Sequence, residues 1–402
     1  MVVKNNKVWL GRYRAESLVK KYGTPLYVYE ADTIKSRYSN LVENIKYSSL
    51  KVHYAVKANS NLYLLKLIKK LGAGVETVSL GEVLISLKSG FKPDRIIYTC
   101  SNITKDELKS LIEKGIRVNL DSLSQIKLWG EIKPGSSISL RLNQGIGAGN
   151  HNHVITGGPE SKFGVDIRQI NEVQALARKY KLSINGIQQH IGSGILGEET
   201  FLKAMRALLK TAYRFPDLEF IDFGGGFGIP YRPNEKSLDL KHLGPLIVKT
   251  LRGFSKDYGR NLTIIFEPGR YLVAEAGTLL VQVTEIKKNP TKTFVGTDSG
   301  FNHLIRPAMY GSYHEVVNAS RIKGKKVKVS VVGNICESAD FFAKDRLLTI
   351  PRQGEILAIL NAGAYGFSMS SNYDLRPRPA EVLIEGSRTK LIRRREKLED
   401  II

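Results

Sequence analysis

Residues 52–71 read Val52-His-Tyr-Ala-Val-Lys-Ala-Asn-Ser-Asn-Leu-Tyr-Leu-Leu-Lys-Leu-Ile-Lys-Lys-Leu71. A short apolar, β-rich run closes at Val56, a Lys-Ala-Asn-Ser-Asn loop follows, and from Leu62 apolar residues recur at the spacing of one helix face. Working outward, the same strand-loop-helix theme returns. Further apolar runs occupy residues 74–78, 95–99, 117–120, 137–142, 186–190, 220–223 and 263–267, making eight with 52–56. Stretches such as Thr200-Phe-Leu-Lys-Ala-Met-Arg-Ala-Leu-Leu209 lie between them at helical spacing. Eight strand-then-helix units predict an α/β fold, a (β/α)8 TIM barrel, whose reactive groups collect where strands give way to loops.

After about residue 276 the pattern changes. Thr278-Leu-Leu-Val-Gln-Val-Thr-Glu-Ile286, Lys325-Lys-Val-Lys-Val-Ser-Val-Val332 and Gly354-Glu-Ile-Leu-Ala-Ile-Leu360 alternate or run apolar between short turns, without a helical period. They predict a second, antiparallel β domain of barrel or sandwich type. The length of 402 residues agrees with two or three domains. With 42% hydrophobic and 25% charged residues, the chain has the composition of a globular protein rather than a disordered, collagenous or coiled-coil one.

The 61 basic and 38 acidic residues leave a net charge of +23. Basic residues are spread along the chain, clustering only at Arg393 to Arg395 and around Lys325, Lys326 and Lys328, so the charge reads as a solvated surface and not as a nucleic-acid site. Cys100 and Cys336 are too few for a disulfide framework and too far apart in sequence for a zinc or dithiol motif, which suggests a reducing compartment. No apolar stretch approaches signal-peptide or membrane-span length, so a soluble, cytoplasmic protein with no membrane association is expected.

Four signals carry chemistry. Lys57 ends the first run between Val56 and Ala58, where partial desolvation would lower its pKa and suit it to attack on an aldehyde cofactor. Phe223-Gly-Gly-Gly-Phe-Gly228 ends the seventh run, and its three glycines let backbone N–H groups approach a phosphate. Glu267-Pro-Gly-Arg270 ends the eighth, with a carboxylate suited to a pyridinium N–H and an arginine suited to a substrate carboxylate. His190-Ile-Gly-Ser-Gly194 ends the sixth, where His190 could stack on a ring and Ser193 could donate to phosphate. Each has an ordinary structural reading when taken alone. Cys336, beside Glu337 and Asp340, is either a small buried hydrophobe or an exposed proton donor, and Cys100 reads as structural. Tyr365, Arg306 and Tyr310 lie in segments able to reach a phosphate or substrate. His151 and His153 lack further ligands nearby and read as loop residues, so no metal is expected.

These segments, with Ser161-Lys-Phe-Gly-Val165, Asp298-Ser-Gly-Phe-Asn-His-Leu-Ile-Arg-Pro-Ala-Met-Tyr310, Cys336-Glu-Ser338 and Ala362-Gly-Ala-Tyr-Gly-Phe-Ser-Met-Ser-Ser-Asn-Tyr373, resemble the pyridoxal 5'-phosphate (PLP)-dependent decarboxylases of the alanine-racemase-like fold type. The diaminopimelate decarboxylase family is the most similar branch. The resemblance implies decarboxylation of meso-2,6-diaminopimelate to L-lysine, the last step of lysine biosynthesis. It implies that Lys57 holds PLP covalently and His190 stacks on its ring. Gly224, Gly225, Gly226, Ser193 and Tyr365 would surround the phosphate, with Glu267, Gly269 and Arg270 also on the cofactor. Arg270, Arg306, Tyr310, Tyr365 and Glu337 would hold the substrate's unreacted end. It implies a homodimer with shared sites, in which Cys336 delivers a proton in the partner's barrel. It further implies a barrel over residues 29–275 and a discontinuous β domain from 1–28 and 276–402. Gly194 stands where the family usually has Gln. Two alternatives remain, a related decarboxylase of ornithine, arginine or carboxynorspermidine, and a non-catalytic PLP-binding homologue.

Overall fold

The computed structural model describes all residues of the chain except 148–156 and 159, so His151 and His153 lie outside the described residues. The chain divides into two compact units, one of residues 37–229 and 236–271, the other of residues 1–36, 230–235 and 272–402.

The first unit is the barrel. Its strands are β1 (Leu50–Ala55), β2 (Gly74–Thr77), β3 (Ile96–Tyr98), β4 (Arg117–Leu120), β5 (Ser137–Asn143), β6 (Ser183–Gln188), β7 (Phe220–Asp222) and β8 (Thr263–Phe266). Every neighbouring pair is parallel, and β8 returns to pair with β1, closing the ring. Each of the eight apolar runs thus overlaps one barrel strand. A two-residue strand, Val165–Asp166, also pairs with β5 and is too short to leave a sequence signal.

Short polar residues between strand and helix start the helices. Asn61, Ser79, Thr104 and Ser122 each accept a backbone N–H of the first turn, and Thr104 forms a capping box with Glu107. The inner face of the barrel follows from packing. Ile97, Phe220 and Ile265 form one buried cluster although they sit on β3, β7 and β8, which is possible only across the interior. Phe220 fits because β6 carries Gly186 opposite it; a Cβ at 186 would stand 2.0 Å from the Phe220 ring.

The inner face in turn fixes what lines the barrel mouth. Residues paired across parallel strands share a face, as do residues i and i+2 along one strand. Glu76 pairs with Ile97, Asp222 with Ile265, Gln188 with Asp222 and Arg141 with Gln188. These four side chains, with Glu267 two residues beyond Ile265, therefore point inward at the C-terminal ends of the strands. Below them Ile97, Phe220 and Ile265 pack together, while Asn119 and Ser139 share the same inner face and hydrogen-bond to each other.

The second unit holds a nine-stranded sheet running Phe341–Thr349, Lys326–Val332, Thr293–Thr297, Gly277–Lys288, Leu26–Glu30, Ala380–Glu385 and Arg388–Arg393, with Ile356–Ile359 added beside Gly277–Lys288 and Val316–Asn318 beside Ile356–Ile359. Most pairs are antiparallel, as the alternating pattern predicts. Two are parallel, Leu26–Glu30 with Ala380–Glu385 and Thr293–Thr297 with Lys326–Val332. A small three-stranded sheet over residues 2–14 precedes it. Val8, Leu10, Leu26, Val28, Leu280, Ala358, Val382 and Ile384 fill its core. Among the described residues no helix is long and apolar enough to cross a membrane.

Candidate active site

Lys57 sits in a single turn, Val56–Ala58, directly after β1. Its Nζ lies 2.9 Å from Oε2 of Glu76 on β2, a buried carboxylate that sequence reading did not single out. The pair anchors the lysine at the barrel mouth. Gly269 packs against the same turn: a Cβ there would lie 3.1 Å from the Cβ atoms of both Ala55 and Ala58.

His190 follows β6. Its Nδ1 accepts the Gly225 N–H at 3.1 Å, which fixes the neutral tautomer with hydrogen on Nε2. Burial first, then the positive charges of Lys57 and Arg141, hold its pKa well below the ordinary histidine value. The ring is an uncharged plate beside the lysine.

The glycine loop after β7 is threaded between these groups. Gly224 has φ +67, and a Cβ on it would stand 2.3 Å from the Gln189 carbonyl and 3.0 Å from His190 Nδ1. A Cβ on Gly225 would stand 2.4 Å from the Glu267 carbonyl. The Gly224 N–H donates to Asp222 Oδ1 at 2.8 Å and the Gly225 N–H to His190, so two of the three amides bind the loop internally. Ser193 Oγ accepts from Arg270 Nε and Nη2 at 3.2 and 3.0 Å, joining the loops after β6 and β8. Gly194 has φ +76, a conformation that favours glycine and gives a physical reason for its presence.

Glu267 is buried. Its Oε2 accepts the Gln188 side-chain N–H at 3.0 Å, while Oε1 meets no donor among the described residues. Burial, then the charge of Glu76, raises its pKa to about 7. A buried carboxylate oxygen lacking a donor, near a partly desolvated lysine and a neutral imidazole, fits a cofactor that brings a ring N–H and an aldehyde. The barrel thus gathers Lys57, His190, Ser193, Gly224, Gly225, Gly226, Glu267, Gly269 and Arg270 at one end, with Glu76, Arg141, Gln188 and Asp222 added by register.

The remaining candidates belong to the sheet unit. Arg306 is buried, donates from Nη2 to Ser312 Oγ at 3.1 Å, and lies 5.0 Å over the Tyr231 ring. Tyr310 ends the same short helix, Arg306–Tyr310. Tyr365 has φ +56, left-handed for a non-glycine residue. Cys336 and Glu337 are both exposed. Their loop is held from behind: Asp374 Oδ2 accepts the Cys336 N–H at 2.9 Å, and Tyr373 Oη donates to Glu337 Oε1 at 3.1 Å. Asp340 is buried, its carboxylate accepting the Phe301 and Ile335 N–H groups at 2.7 and 2.8 Å, so it shapes the loop and does not face the thiol. Cys100 is half-buried, with its thiol donating to the Ser101 carbonyl at 3.2 Å. Among the described residues no group of His, Cys, Asp and Glu is arranged to hold a metal.

The family model described as pyridoxal-dependent decarboxylase, pyridoxal binding domain, matches residues 31–274. A diaminopimelate decarboxylase of Methanothermobacter thermautotrophicus is 45% identical, over 98% of this chain and 94% of that protein. One from Aquifex aeolicus is 38% identical over 96% and 93%. The crystal structure of the M. jannaschii diaminopimelate decarboxylase in complex with L-lysine superposes with a TM-score of 0.92 at 34% identity, covering all of this chain and 96% of that one. A lysine/ornithine decarboxylase from Vibrio vulnificus, at 20% identity and a TM-score of 0.81, shares the fold. With its motifs, its barrel-mouth geometry and these likenesses taken together, the chain belongs to the diaminopimelate decarboxylases of the pyridoxal-dependent decarboxylase family.

Proposed function

We propose that the chain decarboxylates meso-2,6-diaminopimelate to L-lysine and carbon dioxide, with PLP as cofactor, as the last step of lysine biosynthesis. The observation that carries the reading is the barrel mouth itself, where Lys57 is docked on Glu76 and the buried Glu267 carboxylate has acceptor capacity left for a ring N–H beside its bond from Gln188. When bound, PLP supplies an electron sink for the pair of electrons left behind by carbon dioxide.

The chain's own residues do the rest. Lys57 provides the amine that holds the cofactor's aldehyde, and Glu76 keeps that amine at the mouth while it is free. Neutral His190 offers a flat, uncharged face for the ring. Glu267 would accept the ring N–H, and an ionised partner there would favour retention of the ring proton. The phosphate is assigned to the loop of Gly224, Gly225 and Gly226, with Ser193 and Tyr365, and Gly269 permits the close approach of backbone beside Lys57. Arg270, Arg306, Tyr310 and Glu337 are assigned to the substrate's unreacted end. Two buried guanidinium groups, those of Arg270 and Arg306, suit a distal carboxylate better than the distal cation of ornithine or arginine.

The exposed placement of Cys336 and Glu337 supports a homodimer in which this loop serves the partner's site, with the Cys336 thiol delivering a proton to the carbon that lost its carboxylate. A cytoplasmic location agrees with two free cysteines. The test is carbon dioxide release by the holoenzyme from meso-diaminopimelate, ornithine, arginine and lysine in parallel. Release from meso-diaminopimelate with little from the others is expected; turnover of ornithine or arginine in its place would reverse the substrate assignment.

A further inference from the structure

Besides Glu76 and Glu267, the barrel mouth carries a buried carboxyl, that of Asp222, to which the proposed chemistry gives no task. Asp222 ends β7 and is fully buried. Its Oδ1 accepts the Gly224 N–H at 2.8 Å, and its Oδ2 meets no donor among the described residues. Glu267 on the neighbouring strand mirrors it, with Oε2 satisfied by Gln188 and Oε1 without a donor. Both side chains point inward from adjacent strands, and the two carboxyl groups meet. Two bare carboxylates in contact inside a protein repel, whereas one proton between them makes a short, strong hydrogen bond.

The surrounding charges lead to the same result. Glu76 and Lys57 pair with each other, Arg141 faces the mouth from β5, and His190 is neutral. Lys57 is taken by Glu76, and Arg141 is shared among Asp121, Glu267 and Glu76, so holding Asp222 in its neutral form avoids a further buried charge. Burial, then the charge of Glu267, drives the Asp222 carboxyl well above the usual range, so the pair retains a proton at neutral pH.

We propose that Asp222 is a positioning residue, a carboxylic acid that donates its hydrogen to Glu267 and so keeps Glu267 ionised to accept the ring N–H of PLP. This rests on the reading that Glu267 faces the ring nitrogen. A Glu267 that holds Asp222 as a second donor beside Gln188 is a weaker base, so a ring proton shared with it stays on the ring.

Asp222→Asn and Asp222→Ala separate the possibilities. Asparagine can accept from Gly224 and donate N–H to Glu267, so Asp222→Asn is expected to bind PLP within about twofold of wild type; alanine removes the donor, and about tenfold or greater loss is expected for one charge-assisted hydrogen bond. Independently of cofactor, the infrared spectrum of the apoprotein at pH 8 is expected to contain a protonated-carboxyl band that Asp222→Asn abolishes. Equal loss of PLP affinity in the two variants, or no such difference band, would overturn the proposal. Should the alanine variant fail to fold, the infrared comparison of wild type with Asp222→Asn decides alone. Unchanged PLP affinity and absorbance in Glu267→Gln would overturn the role given to Glu267, and with it that of Asp222, and the infrared band distinguishes that failure from failure of the proton assignment.

Discussion

Lys57 and Cys336 are the two residues on which the chemistry turns, and the structure treats them in opposite ways. Lys57 is docked on a buried carboxylate, and Cys336 is exposed on a loop whose backbone is pinned by Asp374. Holding the cofactor and delivering the proton are therefore separable. Cys336→Ala is expected to retain PLP absorbance while kcat falls about a hundredfold or more, the scale of a lost general acid. Parallel loss of cofactor and turnover would contradict that separation. Mixing Cys336→Ala with Lys57→Ala subunits tests the dimer in the same preparation: if the loop serves the partner, hybrids regain activity, up to about a quarter of wild type for random pairing of a two-fold dimer. No recovery would count against shared sites. Lys57, Cys336, Glu267 and the glycines stood out through their motifs and the family that those motifs resemble. Glu76 and Asp222 stayed hidden because nothing in a sequence says which carboxylate of a strand faces inward until register is known.

At the level of elements, the barrel was legible because its punctuation is local. Apolar runs, polar caps such as Ser79 and Thr104, and amphipathic helices each leave a mark within a few residues. Cross-strand packing leaves none. Gly186 looks like an ordinary strand glycine in the sequence, yet its lack of a side chain makes room for Phe220 at the base of the barrel, where Arg117 also caps the ring at 4.6 Å. Gly186→Ala is expected to destabilise the fold by about 3 kcal/mol, a typical overpacking cost, seen as a lower urea midpoint with an unchanged slope. A midpoint within error of wild type would mean that Phe220 can move aside. The parallel pairs of the second unit were also unreadable, since Leu26–Glu30 and Ala380–Glu385 are joined across most of the chain.

For the whole molecule, buried groups of opposite sense set how stability follows pH. His53 and His303 are buried neutral, with pKa values lowered chiefly by burial to about 3 and about 4, against 6.5 when unfolded. The unfolded chain binds more protons there, so stability is lost as pH falls below about 6.5. Glu82 is raised by burial to about 7 from 4.5, and the buried Asp222–Glu267 pair keeps a proton that the unfolded carboxyls have lost, so the folded chain holds more protons and stability is lost as pH rises from 4.5 through 7. The apoprotein is expected to have its highest Tm between about pH 4.5 and 6.5, with a fall on the alkaline side that Glu82→Gln reduces. A Tm that climbs steadily to pH 8 would contradict this balance. At the barrel mouth, Lys57 is the residue assigned to hold the cofactor. The direct measurement is borohydride reduction of the holoenzyme, followed by digestion and mass analysis. The expected result is the reduced cofactor on the peptide containing Lys57 and on no other lysine; cofactor mass on a different peptide, or none on Lys57, would contradict the account.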